Sequence, residues 1–307
     1  VVVRSNADGG GDEVELLSRD GDGMGRFGFS RAWWSAHGYE KHTNARDQAI
    51  VERNSPQSVS QEDVYHQVGA VMKEQFLGGH AVVMFAYGLS GSGKTYSVFG
   101  PDMTGLPEAW FNFDKPHRDW GVFPRLAYDI MQTETTSRRK GKPWKITMKY
   151  FQNVVDRILD LLSDGSTPLS ETDAAAAHHD HRGSHRSGGK ISSVEDRHIS
   201  EGFHQDKHGF VDITWCRKMH VKSWHELRVA FKSANARKAI APTQFNHAST
   251  RGHCILVFEA KMPHPAQEGV SRTGRLYVCD LAGAEPAAEV HCAQYERIVE
   301  PSTGTIE

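Results

Sequence analysis

The 307-residue sequence has only 4 cysteines, Cys216, Cys254, Cys279 and Cys292, and none stands in C-x-x-C spacing. That argues against a disulfide framework and against a thiolate zinc site, and it fits a reducing cytosol. No single sign of charge dominates. Against 36 Lys and Arg stand 38 Asp and Glu, for a formal net charge of −2. A global electrostatic case for nucleic acid is therefore absent. No apolar run comes near the roughly 18 residues needed to span a membrane, so no membrane insertion is expected. The opening VVVRSNADGG reads as a strand-like triplet followed by a turn, not as a signal peptide. With 38% hydrophobic residues the chain can build one large core, or at most two domains.

One segment is far more specific than these totals. Residues 81–95 read AVVMFAYGLSGSGKT. The apolar run from Ala81 to Tyr87 has the length of a buried strand. It feeds Gly88-Leu89-Ser90-Gly91-Ser92-Gly93-Lys94-Thr95, which matches G-x-x-x-x-G-K-[ST]. Glycines let the backbone curl until successive N–H groups point inward at a phosphate. Lys94 supplies a mobile cation for the β- and γ-phosphates, and the Thr95 hydroxyl is a ligand for Mg²⁺. A helix after the loop aims its positive end at the same anion. The competing reading is a glycine-rich turn with no ligand. The preceding strand speaks against it, because strand, loop and helix in that order are the context the motif requires.

Elsewhere the chain alternates elements. Residues 8–25, rich in Gly and Asp, read as a surface loop, and the aromatic stretch 27–34 as half-buried. Val64, Val68, Val71, Met72 and Phe76 fall at helical spacing over 60–77, with Ser60 as N-cap and Asp63 as the acid three positions on. Gly78-Gly79 ends that helix. Strands are expected at 144–151, 254–260 and 275–280, and a helix at 224–238. Residues 154–162 read as a short helix or an irregular extension. The polar stretch 171–208 holds 7 of the 18 histidines and reads as a disordered insert, with order resuming at Gly209. His178, His179, His181 and His185 raise the question of a metal. With no second ligand cluster at defined spacing, a surface insert is the better reading.

Two later segments complete a phosphate-site pattern. Asn246-His247-Ala248-Ser249-Thr250-Arg251-Gly252-His253 is the first, and Val278-Cys279-Asp280-Leu281-Ala282-Gly283-Ala284-Glu285 the second. An Asp at the carboxyl end of a strand beside the loop holds Mg²⁺ through water. The Gly leaves a free N–H for close approach to a γ-phosphate, so together they sense whether that phosphate is present.

The three segments together resemble the kinesin motor-domain family. The family's loop typically reads AYGQTGSGKT, beside Ala86 to Thr95 here. Its switches read N-x-x-S-S-R-S-H and D-L-A-G-S-E, and both have counterparts in the right order. Ser60 to Tyr65 and Gly121-Val122-Phe123-Pro124-Arg125 are smaller echoes. The resemblance covers about residues 27–285.

It implies an α/β fold, a P-loop NTPase of kinesin-motor type, with a central, mostly β sheet of about eight strands flanked by helices on both faces. It implies one motor domain over 1–307, incomplete at the C-terminal end, that binds ATP and Mg²⁺. Gly88 to Thr95 would hold the nucleotide and Tyr96 would stack on adenine. Thr95, Thr250 and Asp280 would hold Mg²⁺, partly through water. Ser249, Thr250, Asp280 and Gly283 would serve hydrolysis, and Arg251 would pair with Glu285 to close the site. The implied partner is the microtubule and the implied place the cytoplasmic cytoskeleton. Cargo or coiled-coil partners would belong to regions outside this chain.

The sequence also departs from the family. Arg4-Ser5-Asn6-Ala7 stands for an opening R-x-R-P. Gly252 and Ala284 replace serines, with Gly252 expected to loosen the first switch. Tyr150-Phe151-Gln152-Asn153-Val154-Val155-Asp156 stands for Y-x-E-I-Y-N-E. After Glu285 the text lacks the family's track-binding helix with N-I-N-K-S-L. Two other readings stay open: a non-motile structural relative with weak or no ATPase, and a phosphate-loop GTPase or metabolic kinase. The latter is disfavoured because no N-K-x-D occurs.

Overall fold

The computed structural model describes residues 2–5, 12–17, 22–33, 40–43, 49–52, 59–102, 106–154, 157–163, 196–198, 203–205, 211–240 and 252–284. The chain divides into two compact units, Val1–Gln67 and Val68–Glu307.

In the first unit, β1 (Val2–Ser5), β2 (Asp12–Leu17) and β3 (Gly23–Phe29) form an antiparallel sheet, and β4 (Glu40–Thr43) pairs with β5 (Ala49–Glu52). This corrects the reading of 8–25 as a loop. Gly23 and Gly25 themselves lie in β3, and Asp12 to Leu17 pairs on both sides with β1 and β3. Cross-strand bonds from distant residues decide such a segment against its composition. The described part of the aromatic stretch is half-buried, as expected: Phe27 and Phe29 are each about half exposed, and Trp33 is partly buried.

The helical run expected over 60–77 is α1 (Gln61–Val64), a π turn (Tyr65–Gly69) and α2 (Ala70–Gly78). Ser60 caps it reciprocally. Its hydroxyl accepts from the Asp63 N–H at 3.2 Å, and the Asp63 carboxylate accepts from the Ser60 N–H at 2.9 Å. These bonds from Ser60 hold the Asp63 carboxyl below its ordinary pKa.

The second unit is built on a mixed seven-stranded sheet flanked by helices. Its strands are β6 (Ala81–Ala86), β7 (Lys145–Val154), β8 (Arg157–Asp160), β9 (Asp196–His198), β12 (Met219–His220), β13 (Gly252–Pro263) and β14 (Ser271–Asp280). The order is β6-β14-β13-β7-β8-β9, with β12 also on β7. A separate pair joins β10 (Phe203–Gln205) to β11 (Val211–Ile213). Residues 157–160, expected as helix or irregular chain, are thus a strand held by pairing to β7. Two strands, β9 and β10, fall inside the stretch 171–208. The histidines at 178–185 lie outside the described residues.

Along β13, alternation buries Cys254, Leu256, Phe258, Ala260 and Met262 on one face. There α2 and α4 (Val122–Arg139) meet the sheet: Phe76 and Phe123 both touch the ring of Phe258. Helix α5 (Trp224–Ile240) lays Phe231 on Tyr150 at 5.1 Å between ring centroids. Trp110 and Trp120 fill the remaining aromatic core. Arg125 of the expected G-V-F-P-R segment is buried. It donates to the carbonyls of Trp120, His117 and Arg118 and so fixes the start of α4. Among the described residues, no helix is long and apolar enough to cross a membrane.

Candidate functional site

β6 and β14 are parallel neighbours, and Ala86 stands opposite Asp280. Both strands therefore end at the same sheet edge, where open α/β sheets place their ligand crevice. The loop leaves β6 at Gly88 and enters α3 (Lys94–Val98). Gly91 and Gly93 have φ of +76° and +88°. A side chain is strained in that region, so the loop's curl depends on these glycines.

The loop is tied to the second segment at three points. Thr95 Oγ1 donates to Asp280 Oδ2 at 2.6 Å. The Ala284 N–H donates to the Gly88 carbonyl at 3.1 Å, and the Leu281 N–H to the Ala86 carbonyl at 3.4 Å. Gly283 is therefore held against the loop by its neighbours. Lys94 Nζ folds back, donating to the carbonyls of Gly88 at 2.9 Å and Leu89 at 2.8 Å. Leu89, Ser90 and Ser92 are exposed, as is the ring of Tyr96, whose hydroxyl donates to Asp119 at 3.4 Å. Ser249, Thr250, Arg251 and Glu285 lie outside the described residues.

The donor set suits a hard cation. Asp280 is 5% exposed, and its Oδ1 has no hydrogen-bond partner among the described residues. A buried carboxylate oxygen without a partner, next to a hydroxyl, matches the oxygen chemistry and small ligand count by which protein groups hold Mg²⁺. Among the described residues, no group of three or more His, Cys, Asp or Glu forms a metal cluster.

Behind Asp280 lies a polar cluster that sequence reading missed. Cys254 stands directly opposite Asp280 on β13. Tyr150 donates to Asn235 Oδ1 at 3.3 Å, Asn235 donates to the Asp102 carboxylate at 3.2 Å, and Lys238 Nζ lies 4.0 Å from the same carboxylate. Burial works against the Lys238 ammonium. Cys254, Tyr150, Asp102 and Asp280 outweigh it, and the pKa of Lys238 rises. Burial pushes the Cys254 thiol up. His253 is a further omission: its Nδ1 accepts the Ala282 N–H at 3.2 Å and ties the two switch segments together. The only signal for Lys238 and Asn235 was their place on or beside the helix expected at 224–238, whose apolar residues form no clear stripe that would separate buried polar groups from exposed ones.

Gly252 corrects an expectation. It is not loosening a loop but opens β13, opposite Val154. A Cβ there would meet the Gln152 amide nitrogen at 2.4 Å. Gln152, 2% exposed, fills the space that a side chain at 252 would need. Two of the departures from the family pattern are therefore packed against each other.

The model of the kinesin motor domain matches residues 33–303. The chain belongs to the kinesin motor-domain family. It is 25% identical over 268 residues to the kinesin-like protein unc-104 of Caenorhabditis elegans, covering 85% of this chain and 13% of that protein. It is 25% identical over 240 residues to mouse kinesin heavy chain isoform 5A, covering 78% of this chain and 19% of that one. The chain thus spans less than a fifth of the length of these relatives. A solved structure of a fast kinesin superposes with a TM-score of 0.53 at 21% identity, covering 79% of this chain and 56% of that chain. That likeness carries the fold.

Proposed function

We propose that this chain is an ATP-dependent microtubule motor domain, which hydrolyses ATP to ADP and phosphate and couples the reaction to movement along microtubules. The observation that carries this reading is the 2.6 Å bond from Thr95 to Asp280, with the second oxygen of Asp280 buried and unpartnered beside the phosphate loop. In this reading the N–H groups of Gly88 to Thr95 cradle the phosphates. Lys94 exchanges its two loop carbonyls for phosphate oxygens. Tyr96 offers its exposed ring to the adenine. Thr95, Thr250 and Asp280 would hold Mg²⁺, partly through water. When bound, Mg²⁺ neutralises phosphate charge. Ser249 and Thr250 present hydroxyls to the γ-phosphate, the Gly283 N–H reads its presence, and Arg251 pairs with Glu285 when it is there. The partner is the microtubule, in the cytoplasm.

The test is steady-state phosphate release by this chain with and without microtubules. Turnover that rises on adding microtubules supports the reading. ATP binding with no release in either condition overturns it and favours a static, structural relative.

A further inference from the structure

Away from the nucleotide edge, the other face of the sheet carries a hollow of about 270 Å³. Arg275 on its wall is five residues of extended strand from Asp280, roughly 17 Å. The residues that line it follow from strand register. Lys261 on β13 stands directly opposite Lys145 on β7 and Thr273 on β14. One step along the same face, Glu259 stands opposite Thr147 and Arg275. Side chains two apart on a strand share a face, so both rows point into the hollow.

Four cations, Lys145, Lys218, Lys261 and Arg275, face one carboxylate there. That carboxylate is already committed. Glu259 accepts from Lys218 at 2.7 Å and from Arg275 at 2.9 Å. Burial opposes its charge, but these two bonds prevail and keep its pKa below the usual range. Lys145 and Lys261 have no ion-pair partner among the described residues, although they sit opposite each other on adjacent strands. Like charges in that position destabilise a sheet. Thr147, 3% exposed, also lines the hollow, and its hydroxyl has no hydrogen-bond partner among the described residues. The site therefore combines a like-charge pair of exposed lysines, a buried hydroxyl that is not otherwise used and a half-open, strongly cationic hollow.

We propose that this hollow binds a compact polyphosphate anion, with Lys145 and Lys261 as its principal cations and Thr147 as a hydroxyl donor. Bound phosphate oxygens relieve the repulsion between the two lysines and accept charge-assisted hydrogen bonds from both. The anion is either free in solution or the phosphorylated head group of a lipid. The site is separate from the phosphate loop and does not depend on the motor reading.

The experiment is calorimetric titration of the Lys94→Ala protein with inorganic tripolyphosphate, in which the phosphate loop is disabled as a competing anion site. Saturable binding at one site is expected. The added pair Lys145→Gln and Lys261→Gln weakens it about tenfold or more. Thr147→Val weakens it severalfold with net charge unchanged, which a diffuse positive field would not do. Sedimentation with vesicles containing a phosphoinositide, lost in the same lysine pair, assigns the head group as source. Binding of tripolyphosphate without vesicle binding assigns the free anion. The proposal is overturned if neither probe binds saturably, if the lysine pair leaves the affinity unchanged, or if Thr147→Val does.

Discussion

The hydroxyl of Thr95 donates to the carboxylate of Asp280 across 185 positions of sequence, at 2.6 Å. The bond joins the first helical turn after the phosphate loop to the end of the neighbouring strand. It satisfies Asp280 Oδ2 and leaves Oδ1 buried and without a partner among the described residues. Removing the Thr95 hydroxyl takes a donor from a buried charge, which costs about 1–3 kcal/mol. Thr95→Ala is expected to lower the stability of the nucleotide-free protein by that amount in urea unfolding. Asp280→Asn is expected to reduce the Mg²⁺ dependence of nucleotide affinity, read by titrating a fluorescent ATP analogue with Mg²⁺ and with EDTA. Equal Mg²⁺ dependence in variant and parent would remove Asp280 from the metal site.

Lys94 separates affinity from stability. Among the described residues its ammonium bonds only to carbonyls of its own loop, at 2.9 and 2.8 Å. Lys94→Ala is expected to leave unfolding within about 1 kcal/mol of the parent. ATP turnover is expected to fall about 10²-fold or more, because a cation aimed at developing phosphate charge is lost. A variant that turns over ATP at the parent rate would refute the role.

Gly252 and Gln152 are coupled by space. Gly252→Ser places a Cβ 2.4 Å from the Gln152 amide nitrogen. Overpacking of this kind costs about 1–3 kcal/mol. Combining it with Gln152→Ala is expected to recover part of the loss, so the double variant is more stable than the sum of the singles. Additive losses in thermal unfolding would show that the two side chains do not share the space.

Lys238 is expected to matter for folding and not only for the site. Truncating one partner of a buried ion pair costs about 3–5 kcal/mol, and Lys238→Ala leaves Asp102 without its ammonium. The pH dependence has a definite sign. The folded-state pKa of Lys238 lies above its unfolded value. Its contribution is therefore complete below about pH 10, the ordinary lysine value, and is lost only as pH rises through the higher folded value. Parent and Lys238→Ala stability curves should run parallel from pH 6 to 9. Convergence within that window would mean that Lys238 is not held protonated by its neighbours.

The parts whose chemistry is local were legible in the order of the amino acids alone. The octet from Gly88 to Thr95 must curl because its glycines allow positive φ and its neighbours are small. The run Ala81–Ala86 must extend because it is apolar and bounded by turns. The Ser60–Asp63 box must start a helix because each residue satisfies the other's backbone. Asp280 at a strand end was legible for the same reason. Only tertiary structure decided the rest. Asp12 to Leu17 became a strand because β1 and β3 supply its hydrogen bonds, whatever its composition. Gly252 became a packing requirement because Gln152 occupies the space above it, one strand away. Lys238, Asn235 and Asp102 met behind Asp280, and Lys145 met Lys261, because strand register and helix docking fix distances between residues that no local pattern relates.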